Sequence, residues 1–214
     1  MCGIIVFDTL KYSRKKLMKN KVIATGKLIK IYTNDDGTHK LRIYICRPGH
    51  NDIYMNFRYN GVLGEEIRTG EVISIEGFLN GFNYIRDDGK LIERQLFCVN
   101  TVCLAEGIMK KVYNLQDHFP PEHEFKAYIE GTIDFIDERS EDDKRIYLKI
   151  DDGERGPYRV IMGIFKRPMI EEDFNALSVG DKLSCYYNLQ TVQRTLDGVF
   201  KSFEYLVLED FSIH

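Results

Sequence analysis

The 214-residue chain has no tryptophan, and its five cysteines form no Cys-x-x-Cys pair. The missing pair excludes the common cysteine-based zinc motifs and redox pairs, and the odd number of cysteines argues against a disulfide framework. No hydrophobic run is long enough to span a membrane, and residues 2–7 are too short for a secretory core. We therefore expect a cytoplasmic protein in a reducing compartment, with no membrane partner.

Signals for catalysis are also scarce. The sequence lacks a Gly-Lys-Ser/Thr loop of the kind that cradles phosphates. His118 and His123 flank Pro120-Pro121 without further metal-ligand residue types nearby, which is typical of surface histidines. Acidic clusters such as 138–143 and 151–154 fall in predicted turns. We expect a protein that is not an enzyme and that needs no metal and no cofactor.

Acidic residues are missing between Asp8 and Asp35, a segment that contains eight lysines and arginines. Residues 1–107 carry 16 Lys and Arg against 12 Asp and Glu, a net charge of +4, whereas residues 108–214 carry 14 against 21, a net charge of −7. A basic block is often only a solvated surface, but it is also what attraction to phosphate requires. The first half is therefore the predicted binder.

Short apolar–polar alternations rich in Ile, Val, Tyr and Phe predict a protein built from β-strands. Turn residues such as Asn34-Asp35-Asp36-Gly37 and Asp87-Asp88-Gly89 separate them. The predicted strands are Lys21–Tyr32, Leu41–Cys46, Ile53–Tyr59, Glu71–Leu79, Leu91–Val102, Phe125–Ile136, Arg145–Ile150, Tyr158–Phe165, Lys182–Gln193 and Val199–Leu208.

The run Gly70-Glu71-Val72-Ile73-Ser74-Ile75-Glu76-Gly77-Phe78-Leu79, followed by Tyr84 and Gly89, resembles the fourth strand and hairpin of bacterial single-stranded DNA-binding proteins. Val22-Ile23-Ala24-Thr25-Gly26-Lys27-Leu28 resembles the entry strand of the same family. The resemblance covers roughly residues 20–105. It implies an oligonucleotide/oligosaccharide-binding (OB) barrel of five strands.

After Pro120-Pro121 the pattern returns, with Gly131 in the place of Gly26 and Gly180 lying 110 residues after Gly70. We therefore predict an all-β protein of two tandem five-stranded OB barrels, the second with a short helix at 170–177 before its fourth strand. The predicted divisions are a basic extension (1–20), a first barrel (21–105), a linker (106–124) and a second barrel (125–214).

Alternation places Leu41, Ile43 and Ile45 inside the first barrel, so Arg42 and Tyr44 face outward. The resemblance places stacking aromatics at Tyr54 and Tyr84, and lysines and arginines nearby could pair with phosphates. An outward aromatic is also a common subunit contact. The predicted nucleic-acid-binding residues are Lys27, Arg42, Tyr44, Arg47, Tyr54, Arg58, Phe82, Tyr84, Arg86, Lys90 and Arg94.

These features predict binding of single-stranded DNA with little sequence preference, in replication, repair or mobile-element maintenance. The family forms assemblies of four barrels, which implies that a tandem chain forms a homodimer. Two alternatives stay open. One is a protein-interaction module of a replication or mobile-element complex, favoured by the acidic second half. The other is an RNA binder, which the barrel supports equally well.

Overall fold

The computed structural model describes residues 20–46, 52–85, 87–89, 91–105, 125–141, 143–151, 157–165, 175–196 and 199–214. Within these ranges most residues lie in β-strands. The predicted extension (1–20, apart from Asn20) and the predicted linker (106–124) lie outside the described residues. None of the helical segments in the described ranges is long and apolar enough to span a membrane.

The first strand set, β1–β5, forms a closed barrel. Its strands span Asn20–Thr33, His39–Ile45, Ile53–Tyr59, Val72–Ile85 and Leu91–Leu104. Strand β1 pairs with β2 and β4, β2 with β3, and β4 with β5, all antiparallel, while β3 pairs with β5 in parallel and closes the ring. This connectivity is that of an OB fold, as the sequence predicted.

The second strand set, β6–β10, has the same five pairings in the same order. Its strands span Phe125–Ser140, Asp143–Ile150, Tyr158–Phe165, Lys182–Leu196 and Val199–Ile213. Strand β6 pairs with β7 and β9, β7 with β8, β9 with β10, and β8 with β10 in parallel. Of the helix predicted at 170–177, only Asn175 and Ala176 are helical, and residues 170–174 lie outside the described part of the chain.

The two sets match in detail. The turn before the fourth strand uses Gly70 in the first set and Gly180 in the second, at φ angles of 97° and 100° that favour glycine. The Gly70 N–H donates to the Leu28 carbonyl at 2.7 Å, and the Gly180 N–H donates to the Ile133 carbonyl at 2.8 Å. The spacing of 110 residues in the sequence therefore corresponds to equivalent turns.

A β-ladder joins the two sets into one sheet of ten strands. The start of β1 pairs antiparallel with the start of β6, with Val22 opposite Ala127. A polar cluster lies beside this ladder: the Asn20 amide donates to the Tyr158 hydroxyl at 2.7 Å and to the Leu79 carbonyl, and it accepts from the Leu79 N–H at 3.0 Å. Asn20, which the sequence placed in the basic extension, is thus a buried residue of β1.

The β4–β5 hairpin packs against the second set rather than extending freely from the barrel. The Gln95 side chain accepts from the Ile161 N–H at 2.9 Å and donates to the Ile161 carbonyl at 3.2 Å. A Cβ atom at Gly81 would collide with the carbonyl oxygen of Arg159. Because Gln95 and Gly81 contact β8 directly, the hairpin is held by both strand sets.

One hydrophobic core runs through both sets. Phe57 and Phe97 are buried, with ring centroids 5.5 Å apart. Phe125 continues this aromatic series at 6.2 Å from Phe97, and Tyr187 follows at 6.5 Å. The aromatic rings therefore connect the interior of the first set with that of the second.

Candidate nucleic-acid interface

Three neighbouring strands of the first set present a surface that we call the β1–β2–β3 face. Cross-strand partners form three rows across it, and none of its side chains is buried. The rows are Lys27, Tyr44 and Tyr54; Lys30, Arg42 and Asn56; and Tyr32, Lys40 and Arg58. The face thus carries five cations and three tyrosines, and no acidic side chain.

A β-bulge in β1 creates the second and third rows. The register shifts between Leu28 and Lys30, which leaves Ile29 without a cross-strand partner in β2. Strict alternation would place Lys30 on the same side as the buried Leu28, but the extra residue turns it outward, as bulges do. Lys30 and Tyr32 consequently lie opposite Arg42 and Lys40 on the outer surface.

Tyr44 and Tyr54 form an aromatic pair at one end of the face. Their ring centroids lie 5.2 Å apart, and the Arg42 guanidinium lies 5.4 Å from the centre of the Tyr54 ring. Tyr54 is 46% exposed, so much of its ring is open to a stacking base. The structure thus brings together three of the predicted binding residues.

Two carboxylates lie beside the face and hold residues at opposite ends of it. The Tyr44 hydroxyl donates to Asp52 at 2.6 Å, and this hydrogen bond raises the pKa of Tyr44 well above its usual range. Arg58 forms a salt bridge with Asp36 at 3.4 Å. Hydrogen bonds from Thr38, followed by the charge of Arg58, lower the pKa of Asp36.

The remaining predicted residues lie elsewhere or outside the described part of the chain. Phe82 and Arg94 are cross-strand partners on the β4–β5 hairpin, where both are exposed. The backbone of Tyr84 lies in β4 opposite Ile92, and its side chain lies outside what the structure describes. Arg47, Arg86 and Lys90 also lie outside the described residues.

Sequence reasoning missed Lys30, Tyr32 and Lys40 as members of the face. The Lys30 ammonium lies 4.4 Å from the centre of the Tyr32 ring, and the Lys40 ammonium lies 5.6 Å from it. Lys40 could have been found, since it continues the outward series of Arg42 and Tyr44 at a spacing of two. Tyr32 could not, because the bulge that turns it outward has no clear signal in the sequence.

The corresponding β6–β7–β8 face of the second set has a different composition. Its three rows are Thr132, Lys149 and Arg159; Phe135, Tyr147 and Ile161; and Asp137, Arg145 and Gly163. Phe135 and Tyr147 form an aromatic pair with centroids 5.4 Å apart. Arg159 forms a salt bridge with Asp134, which lies just outside the rows. Three cations and one acid remain where the first face has five cations.

In the described part of the chain, no group of three or more His, Cys, Asp or Glu residues is arranged to hold a metal ion. What the β1–β2–β3 face offers a ligand is aromatic rings, ammonium and guanidinium groups, and hydrogen-bond donors. Rings can stack on bases of any sequence, and exposed cations can neutralise phosphates.

No protein-family model matches the sequence, and no curated protein matches it. Among solved structures, the fold is similar to that of the wild-type single-stranded DNA binding protein from Thermus aquaticus, with a TM-score of 0.58 and 14% identity over 91% of this chain and 92% of the other. A deletion mutant of that protein gives a TM-score of 0.58 and 15% identity over 91% of this chain and 94% of the other. At this level of identity the likenesses show a shared fold.

Proposed function

We propose that this protein binds single-stranded DNA with little sequence preference through the β1–β2–β3 face. The observation that carries the proposal is the composition of that face: five cations and three tyrosines in register, with no acid among them. Aromatic stacking tolerates any base because every base has a π-face, while lysines and arginines track the phosphates. The Thermus proteins of similar fold, which are named as single-stranded DNA binding proteins, support this assignment.

The role is that of a binder rather than an enzyme, in DNA replication, repair or mobile-element maintenance in the cytoplasm. The two strand sets act as tandem OB barrels, at 21–105 and 125–214, connected by the segment 106–124. Their repeated pairing scheme and equivalent glycine turns support this division. Phe82 and Arg94 on the hairpin, together with Tyr84, Arg47, Arg86 and Lys90, would extend the contact beyond the face.

A homodimer is the expected assembly. The sequence-based argument relied on the four-barrel assemblies of the family that the chain resembles, and the starts of β1 and β6 already pair with each other within the chain. A surface across these strands and β9 offers other support, because Tyr186 is 54% exposed there and contacts Tyr128 at a centroid distance of 5.3 Å. Light scattering should give twice the chain mass of 25.0 kDa, and a mass of 25.0 kDa across micromolar concentrations would contradict the dimer.

Fluorescent oligo-dT, oligo-U and duplex DNA, each titrated at two salt concentrations, test the function directly. Oligo-dT should bind more tightly than duplex, and its affinity should fall as salt rises because bound phosphates release counterions. Preference for oligo-U would assign the face to RNA, and the absence of binding to all three would favour a protein partner.

Tyr54→Ala tests the assignment of the face. It should weaken oligo-dT binding by about 1–3 kcal/mol, the range for one lost stack. Tyr54→Phe is the matched control, since it keeps the ring and should bind as the wild type does. Unchanged affinity in a folded Tyr54→Ala protein would show that bases do not stack on this tyrosine.

A further inference from the structure

The third row of the β1–β2–β3 face contains an aromatic position separate from the Tyr44–Tyr54 pair. Tyr32 is 36% exposed, and its two nearest cations, Lys30 and Lys40, approach its ring at 4.4 and 5.6 Å. In the part of the chain that the structure describes, neither lysine forms a salt bridge with a carboxylate. The ring and the two ammonium groups therefore form a local aromatic and basic cluster.

The hairpin turn that follows Tyr32 holds this cluster in place. The Asn34 N–H donates to the Thr38 carbonyl at 2.9 Å, and the Asn34 side chain donates to the Thr38 hydroxyl at 2.8 Å. Asp36 accepts from both the N–H and the hydroxyl of Thr38. Gly37 takes a φ of 78° that suits the turn. Because the turn is fixed by its own hydrogen bonds, Tyr32 is held on a defined edge of the face.

The position of Tyr32 along the strands separates it from the Tyr44–Tyr54 pair. Its partner Lys40 precedes Tyr44 by four residues on β2, which corresponds to roughly 13 Å at about 3.3 Å per residue. Between them lies the row of Lys30, Arg42 and Asn56, which has no aromatic ring. Two aromatic positions are thus separated by a row that carries two cations.

We propose that Tyr32 is a second base-stacking subsite, so that a single strand runs along β2 from the Tyr44–Tyr54 pair towards the β1–β2 turn. The subsite takes one unpaired base on the Tyr32 ring, with its flanking phosphates on Lys30 and Lys40. This inference rests on the proposed function and adds the path of the strand. An ammonium over an exposed ring is held weakly, so both lysines can move to phosphate when a strand arrives.

The test compares Tyr32→Ala, Tyr32→Phe and Tyr54→Ala in the full-length chain, with thermal unfolding to verify folding. The probes are oligo-dT of about 4 and about 16 nucleotides, the two ends of the site-size range for an OB fold. Tyr32→Ala should bind the longer probe about five- to 150-fold more weakly, the range for one lost stack. The shorter probe should lose less, because it can occupy the Tyr44–Tyr54 pair. Tyr32→Phe should bind both as the wild type does.

Lys30→Gln combined with Lys40→Gln provides a second measurement that keeps the ring. The slope of log affinity against log salt should fall by about 1.4, at about 0.7 for each single-strand phosphate contact. An unchanged slope would overturn the phosphate contacts of the subsite.

Three other results would also be decisive. If Tyr32→Ala binds the longer probe as tightly as the wild type while Tyr54→Ala binds weakly, the subsite is wrong and the proposed function stands. If Tyr32→Phe weakens binding as much as Tyr32→Ala, the ring does not stack on a base, and the subsite is again wrong. If the wild type binds neither probe, the proposed function fails, and the subsite fails with it.

Discussion

The β1–β2–β3 and β6–β7–β8 faces occupy equivalent places in the two strand sets, yet their cations have different neighbours. On the first face, Arg42 lies over Tyr54 and Lys30 lies over Tyr32, while Arg58 at the edge of the face is paired with Asp36. Around the second face, Arg159 is paired with Asp134, and Lys144 with Glu138 at 3.6 Å. A cation that lies on a ring keeps its charge available for phosphate, whereas a cation paired with a carboxylate must first break that pair.

This difference refines the argument from net charge. The net charges of +4 and −7 for the two halves predict that the first half binds and that the second is repelled by phosphate. Locally, however, the second face still has three cations and the Phe135–Tyr147 pair. We therefore expect a difference of degree, with the first set as the stronger binder, rather than a second set that cannot bind.

Matched removal of charge from the two faces should produce the largest difference. Lys30→Gln, Lys40→Gln and Arg42→Gln together should lower the slope of log affinity against log salt by about 2, at about 0.7 for each single-strand phosphate contact. The control variant combines Arg145→Gln, Lys149→Gln and Arg159→Gln, and its slope should fall by no more than about 1.4, because Arg159 is already paired with Asp134 and only two cations are left to contribute. Equal slopes in the two variants would contradict the expectation that the first set is the stronger binder.

The sequence predicted much of this fold, because residue alternation sets which side chains enter a barrel wherever the strands are regular. Leu41, Ile43 and Ile45 are fully buried, as their spacing of two requires. Tyr44 and Tyr54 meet on the outer surface for the same reason. The resemblance at Gly70–Leu79 identified the fourth strand, and the likeness to the Thermus structures agrees with an OB fold.

Features that depend on distant or irregular contacts could not be predicted in this way. The bulge at Ile29 changes which side Lys30 and Tyr32 face, and alternation cannot show where one extra residue is inserted. Asn20 contacts Tyr158 across 138 positions of sequence, so neither residue reveals the contact locally. The hairpin at Phe82 packs on β8 through Gly81 and Gln95, whose contacts in β8 are distant in the sequence.

The cluster around Asn20 allows a test of how far the two sets act as one unit. Asn20→Ala leaves the buried Leu79 N–H without its acceptor and should lower the free energy of unfolding by about 1–3 kcal/mol. Thr25→Ala is the control, because Thr25 lies on the same strand and its hydroxyl contacts Ser74 within the first set, at 3.0 Å. Denaturant unfolding measures both variants.

The number of transitions in the unfolding curve provides the second part of this test. If the sets are one cooperative unit, Asn20→Ala should shift a single transition. A split transition in Asn20→Ala, with a single one in Thr25→Ala, would show that Asn20 couples the sets. Two transitions in the wild type would show instead that the sets unfold independently.

A smaller effect is expected at a pair of equivalent positions where the two sets carry residues of very different size. Gly77 lies opposite Val22 in the first set, and Tyr187 lies opposite Ala127 in the second. A Cβ at Gly77 would collide with the Cys98 carbonyl, so the first set requires glycine there. In the second set the Tyr187 ring fills the interior against Phe125.

The hydroxyl of Tyr187 distinguishes it from Tyr158, the other buried tyrosine near the junction of the sets. It is fully enclosed and has no hydrogen-bond partner among the described residues, and burial raises the pKa of Tyr187 well above its usual range. Tyr158, by contrast, accepts from Asn20 and donates to the Leu79 carbonyl at 3.2 Å.

Tyr187→Phe should therefore raise the free energy of unfolding by about 1 kcal/mol, since it removes an unsatisfied buried group. Tyr158→Phe should lower it by about 1 kcal/mol, since it breaks satisfied bonds. Thermal and denaturant unfolding of the two variants should give shifts of opposite sign, and a loss of stability in Tyr187→Phe would mean that this hydroxyl has a partner in solution.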